Sequence, residues 1–268
     1  MMSPSSIATI DAATGWRQRR VETFDLPEGR VLVKGQRAPR SLWPHRVLNW
    51  FAKLARVPYL KAVPVHGGAR SQDIELRRLA ALAEAGVPVP AVRHVAADYF
   101  VMDYLGHKDL AVTLRENGMA AFGLWRAGLE QLLLVHARGQ YLSQCFARNM
   151  IVSDKFDGLI DFEDDPLEVM TLVQARARDW LIYLQSTLVN LAAEPSLLDD
   201  VLYQVLQQES AEVRAVLRHA AGRLAWLRWL PTSRRIWGKD FVSLQAVAAA
   251  LHRHHLPGRS QRHFSGAK

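Results

Sequence analysis

Apolar and polar positions alternate in short runs over the first hundred residues and recur at helical spacing over most of the remainder. Arg19–Asp25 and Arg30–Lys34 are alternating or β-branched runs separated by Leu26-Pro27-Glu28-Gly29, which predicts an antiparallel hairpin whose second strand closes on Lys34. With Ser71 as N-cap, a helix is expected to run to about Ala85, carrying Ile74, Leu79 and Leu82 on one side and ending before Gly86. Tyr99-Phe100-Val101-Met102 reads as a buried strand that turns away at Leu105-Gly106. Helical periodicity then covers Ala120–Ala137, Leu167–Leu191, Leu197–Gln208 and Glu212–Trp229. Between them, Ile151-Val152 and Leu159–Phe162 are short strand candidates flanking Asp157-Gly158. No internal repeat is present. The pattern predicts an α+β chain with a small β-rich lobe over residues 1–103, a larger helical lobe over 104–256 joined near 103–107, and a flexible polar tail from 257 to 268.

One segment breaks this pattern. Between Ser41 and Pro58, His45, Arg46, Asn49, Lys53 and Arg56 fall on one narrow arc at 100° per residue, while Val47, Leu48, Trp50, Phe51, Leu54 and Ala55 cover the rest. Residues 44–57 are thus expected to form a basic amphipathic helix. Its apolar face suits internal packing, and its aromatic and basic edge suits an anionic membrane surface or glycolipid.

Composition sharpens the reading. The 268 residues include 34 Lys+Arg and 26 Asp+Glu, for a formal charge of +8. Residues 1–70 hold 12 basic and 4 acidic side chains, so the remainder is electrically balanced. A chromatin-type coat is therefore excluded, and nucleic acid is not the expected partner. At 49% hydrophobic the chain has enough apolar residues for a sizeable core, which excludes disordered and fibrous classes. A single cysteine, Cys145, predicts a reducing compartment, with the cytoplasm as the default. The first residues lack a basic and then apolar leader, and the uncharged run Trp180–Ala193 falls short of the roughly 18–20 residues that span a bilayer. Any membrane contact is expected to be peripheral, at the inner membrane.

Candidate chemistry lies in an ordered series of residues. A lysine at a strand end holds nucleotide phosphates when a carboxylate on a facing helix orients it, and Lys34 and Glu75 are the candidates. Asp161 follows Asn149 by twelve residues, so an amide oxygen and a carboxylate facing each other across a hairpin are candidate Mg²⁺ ligands. Glu163, Asp164 and Asp165 are read as a solvated acidic loop, Asp165 being a remote substitute base, and His136 as a core histidine without a catalytic role.

In this order the residues resemble the protein-kinase-like superfamily, and within it the bacterial lipopolysaccharide-core sugar kinases of the Kdo-kinase and heptose-kinase types and their RIO-like relatives. His136 to Asn149 is similar, without a gap, to their catalytic loop H-x-x-G-x-x-H-x-D-L-x-x-x-N. Val31-Leu32-Val33-Lys34 resembles the phosphate-binding strand, Glu75 its helix partner, and Ile160-Asp161-Phe162-Glu163 the metal-binding motif. Arg178-Asp179-Trp180-Leu181 resembles the helix whose Asp hydrogen-bonds the catalytic-loop backbone. The resemblance covers roughly residues 15–190. It implies a bilobal kinase-like fold, ATP and Mg²⁺, and a sugar hydroxyl of an envelope glycan as phosphate acceptor.

Two departures qualify that implication. Gln144 stands where the family has its catalytic Asp, and an amide cannot act as a general base; the family His is Leu142. Before Lys34 the only glycines are Gly15 and Gly29, so there is no glycine-rich loop to cover phosphates. The alternative expectation is a catalytically inactive pseudokinase that binds a partner or membrane surface.

Overall fold

The computed structural model describes residues 2–36, 58–64, 66–191, 194–229, 245–251 and 253. The amphipathic helix expected at 44–57 and the tail from 257 lie outside the described residues. What is described is a mixed α/β protein with a small antiparallel sheet and a larger helical part.

The predicted hairpin is present as β1 (Val21–Leu26) and β2 (Gly29–Gly35), in register from Val21 opposite Lys34 to Leu26 opposite Gly29. Gly29 takes a φ of 118° at the turn, where a side chain would be strained. β2 also pairs with β4 (Tyr99–Asp103), and β4 with β3 (Val92–Val95), giving the order β1-β2-β4-β3. Strand alternation sends Val31, Val33, Tyr99 and Val101 to one face, where they pack with Ile10 and Trp16. Those two residues come from helices that periodicity did not foresee, α1 (Pro4–Ala12) and α2 (Gly15–Arg19). Both are short, and α1 has a narrow buried side, Ser6 and Ile10. Glu28 of the hairpin turn accepts from Ser3 N and Ser6 Oγ, each at 2.8 Å, which ties the turn to the start of α1. These hydrogen bonds hold its carboxyl at about 2.

The opposite face carries Leu32, Lys34, Phe100 and Met102. Leu32, Phe100 and Met102 join the main core, where Leu79 and Leu82 of α3 (Gly68–Glu84) also lie. That helix begins a turn earlier than expected: Gly67 is its N-cap, and Ser71 lies inside it, buried, with its hydroxyl unpartnered. The reason is tertiary. Ser71 and Gln72 extend the buried stripe of Ile74, Glu75, Arg78, Leu79 and Leu82, and Gln72 donates to Ala96 O next to the sheet at 2.9 Å.

The helical part comprises α4 (Leu110–Asn117), α5 (Phe122–Ala137), α6 (Leu172–Thr187), α7 (Pro195–Leu206) and α8 (Ala211–Leu224), and residues 245–251 are also helical. The span predicted from Leu167 to Leu191 is thus shorter, flanked by 3-10 turns at Pro166–Glu168 and Leu188–Asn190. A capping box of Thr171 and Gln174 sets its start. The ribbon is β5 (Met150–Val152) with β6 (Phe156–Leu159), so the second strand precedes the expected Leu159–Phe162. Gly158 is a strand residue rather than a turn residue because its backbone passes close to Pro88, whose carbonyl accepts from Leu159 N at 2.9 Å.

Trp125, Trp180 and Tyr183 are fully buried between α5 and α6, and Tyr183 donates its hydroxyl to Trp125 O at 2.6 Å. Gly128 of α5 leaves the room for that ring, since a Cβ there would overlap the Tyr183 hydroxyl. Replacing a mid-helix Gly by Ala ordinarily stabilises by about 1 kcal/mol. Here overpacking costs about 1–3 kcal/mol and breaks the Tyr183 hydrogen bond, so Gly128→Ala is expected to lower stability in urea-induced unfolding.

Candidate active site

Strand alternation places Lys34 on the face that α3 covers, and helical spacing places Glu75 on the buried stripe of α3. The two meet at 2.7 Å, Lys34 Nζ to Glu75 Oε1. The same ammonium lies 2.8 Å from Glu163 Oε1 and 3.2 Å from Asp161 Oδ1. Arg20 donates to the same Glu163 oxygen and also bonds Gly35 O at 3.2 Å. Burial by itself would push the Lys34 pKa down, but the charges of Glu75, Asp161 and Glu163 outweigh it, and the net direction is up. Glu163 is held below the usual carboxylate range: burial opposes this, but Lys34 and Arg20 together prevail. Among the described residues Glu75 has only Lys34 as its cation, and it stays above the usual range because burial dominates.

Oxygen atoms of Glu75, Asp161 and Glu163 lie within 4.8 Å of one another, a grouping able to hold a cation. The chain supplies that cation itself, because Lys34 touches all three. Only Asp161 has an open side, its side chain being 30% exposed against 2% for Glu75 and 1% for Glu163. Asp161 adopts a left-handed φ of 71°. The backbone on both sides of it is pinned, Ile160 N to Asn149 O at 3.0 Å and Phe162 N to Glu75 Oε1 at 3.4 Å. Among the described residues the only other non-glycine with positive φ is Arg20, so both strained residues serve the same cluster.

The Ile160–Asn149 bond sets Asn149 beside the Asp161 turn. Asn149 is buried, and its amide donates to Gln144 O at 2.9 Å, which leaves the carbonyl oxygen as what it can offer a metal. Gln144 in turn donates Nε2 to Asp164 Oδ2 at 2.7 Å.

The acidic run after Asp161 is not the solvated loop expected. Glu163 is buried beside Lys34, and Asp164 is 8% exposed with Oδ1 lacking a hydrogen-bond partner. Burial, and then the charges of Glu163 and Asp161, raise Asp164 to about 6. Asp165 accepts from Tyr141 Oη at 2.7 Å and from Leu167 N at 3.0 Å, both on Oδ1, so it caps a turn. Glu163, Asp164 and Arg20 are the members of the site that sequence reasoning missed. The apolar Phe162 between Asp161 and Glu163, which is fully buried, was the signal that this segment runs inside.

A second ionic cluster supports the loop between α5 and β5. Asp179 of α6, fully buried, accepts Leu142 N at 2.7 Å and contacts His136 Nε2 at 3.3 Å. His136 Nδ1 lies 2.5 Å from Glu209 Oε2, which also accepts Trp180 Nε1 at 2.8 Å. Burial disfavours charge on His136, but Asp179 and Glu209 outweigh it and raise its pKa. The raised pKa favours the charged form of His136 between the two carboxylates, and Leu142 is buried in the core. A cavity of about 710 Å³ between α5 and α7 touches His136 and Glu209 but none of Lys34, Glu75, Asn149 and Asp161. No helix among the described residues is long and apolar enough to cross a membrane.

No family model matches the chain, and no curated protein matches it.

Lys34→Met would leave Glu75 and Glu163 buried without their shared cation, a loss of about 3–5 kcal/mol in denaturant unfolding near pH 7. The deficit is expected to shrink as pH falls and the carboxylates protonate. Asp164 has the opposite sign: its raised pKa makes the native state weaker as pH rises from about 4 through 6, by an amount on the order of 1–3 kcal/mol. Asp164→Asn is therefore expected to raise the thermal midpoint at pH 7.5 relative to wild type, with the difference vanishing near pH 4, as read by calorimetry at both pH values.

Proposed function

We propose that the chain is a bilobal kinase-like protein that binds ATP with Mg²⁺ and transfers phosphate to a hydroxyl group, the acceptor being a sugar of a lipid-linked envelope glycan. The observation that carries this reading is the buried Lys34–Glu75 pair at 2.7 Å with Asp161 at 3.2 Å on its open side. A lysine oriented by a helix carboxylate, facing a second carboxylate and a nearby Asn, is the set of groups that phosphoryl transfer requires for holding phosphates and metal. The hydrogen bond from Leu142 N to Asp179 is further support, since it anchors the loop that carries Gln144 and Asn149.

In this reading Lys34 binds the nucleotide phosphates and Glu75 keeps it aimed. Asp161 and the Asn149 carbonyl are hard oxygen donors of the kind Mg²⁺ prefers, and the partly open Asp161 is the carboxylate free to turn toward it. When bound, the metal supplies neutralisation of charge on the β- and γ-phosphates. The acceptor class rests on the family resemblance. The basic, aromatic segment 41–58 is the element we assign to an anionic glycolipid or inner-membrane surface.

A second reading, a catalytically silent kinase-like module that binds a partner or membrane surface, is favoured by one observation. The β1–β2 turn is tied to α1 through Glu28, and Pro27-Glu28 offers no glycine-rich backbone to close over phosphates.

Purified protein is expected to gain thermal stability with Mg-ATP, by about 2.7 kcal/mol at 100 times Kd. Asp161→Ala is expected to abolish the Mg²⁺-dependent part of that gain. No response of the wild type to ATP, with or without Mg²⁺, would remove the phosphotransfer reading and leave the silent module.

A further inference from the structure

The loop residue that would be expected to carry a carboxylate is Gln144, yet a carboxylate sits against it. Gln144 Nε2 donates to Asp164 Oδ2 at 2.7 Å, and Asp164 Oδ1 is buried without a hydrogen-bond partner. Asp161 and Glu163 lie on Lys34, and Asp165 Oδ1 accepts from Tyr141 and Leu167, so Asp164 is the member of this acidic segment that holds a buried, unpartnered oxygen. Building on the phosphotransfer reading, we propose that Asp164 is the proton acceptor for the attacking hydroxyl and that Gln144 is the positioning residue that holds it.

An amide cannot take a proton from an alcohol, but it can fix a carboxylate that does. One Asp164 oxygen is spent on the Gln144 bond, and the other is left with its lone pairs unused. A buried polar atom without a partner costs stability, and such atoms call for an explanation other than the fold. Glu163 and Asp161 face Asp164 with like charge and Arg178 of α6 with opposite charge, while burial adds to the proton affinity. These surroundings favour a carboxylate that is ionised at neutral pH and accepts a proton readily.

The step balances with the nucleotide as phosphate donor. The acceptor O–H proton passes to Asp164 Oδ1 as the oxygen forms its bond to the γ-phosphorus. The bond from that phosphorus to the β–γ bridging oxygen breaks, and the electron pair leaves with the nucleoside diphosphate. Asp164 then returns the proton to solvent.

Because the natural acceptor is unidentified, water is the acceptor used as probe, and the readout is release of inorganic phosphate from Mg-ATP by the full chain. Asp164→Asn is expected to lower the rate by about 10²–10⁴-fold while keeping the Mg-ATP thermal shift and gaining thermal stability. A residue with only a structural role would not separate stability from turnover in this way. Gln144→Asp placed in the Asp164→Asn background moves the carboxylate across the same contact, and is expected to restore at least about tenfold of the lost rate. Gln144→Leu, which leaves Asp164 in place but unheld, is the second arm, with a loss of about tenfold or more. Unchanged phosphate release in Asp164→Asn, or wild-type release no greater than buffer alone with the Mg-ATP shift intact, overturns the role of Asp164 and leaves nucleotide binding standing. Absence of the Mg-ATP shift in wild type overturns both.

Discussion

An ammonium group held out of water by three carboxylates is the interaction on which the rest of the structure depends. Lys34 comes from β2, Glu75 from α3, and Asp161 and Glu163 from the segment after β6, so one cation ties together parts of the chain up to 129 residues apart in numbering. Burying any one of these charges alone would be expensive, and each is tolerated because the others are there. Arg20 adds the second positive charge, which explains why a non-glycine residue is kept in a left-handed conformation at the entrance to β1. The cluster therefore fixes the sheet, its covering helix and the acidic segment in one arrangement.

The second cluster does for the loop what the first does for the sheet. His136, Asp179 and Glu209 bring α5, α6 and the start of α8 to one buried point, and Asp179 reaches from there to the backbone of Leu142. Gln144 and Asn149 follow within the next seven residues and contact each other through the Asn149 amide. The stretch between the two clusters is thus held at both ends by ionic groups, with Ile160 and Asn149 joined between them. If the proposed phosphotransfer holds, rigid ends around Gln144 and Asn149 are what positioning and electrostatic catalysis would use.

Asp164 differs from Glu163 in having no cation in hydrogen-bond contact, its hydrogen-bond partner being the Gln144 amide and its opposite charge, Arg178, acting only at a distance. Glu163, one residue away, has two cations and a lowered pKa, whereas Asp164 has an amide and a raised one. A fold optimised for stability alone would fill that position with a neutral side chain. A buried carboxylate oxygen without a hydrogen-bond partner, three residues after Asp161 with its positive φ, lowers stability, and such costs are tolerated at functional sites.

Alternation along β2, the Pro-Gly turn before it, the apolar strand at Tyr99–Met102 and the long helical periods were legible in the chain, because each depends on neighbours a few residues away. So was the order Lys34, Glu75, Asn149, Asp161. The start of α3 was misplaced by a turn because its first residues are held by the sheet, not by a cap, and β6 was displaced because the close approach of Gly158 to Pro88 lies outside any local window. Glu163 and Asp164 read as solvated because a run of acids in sequence carries no sign of the cations waiting in β2 and before β1. By itself, then, the sequence determined the elements and which residue types lie along them. Which carboxylate has a cation in contact, which has only an amide and which caps a turn was decided by the tertiary structure, since the energy of a buried charge depends on what surrounds it in space.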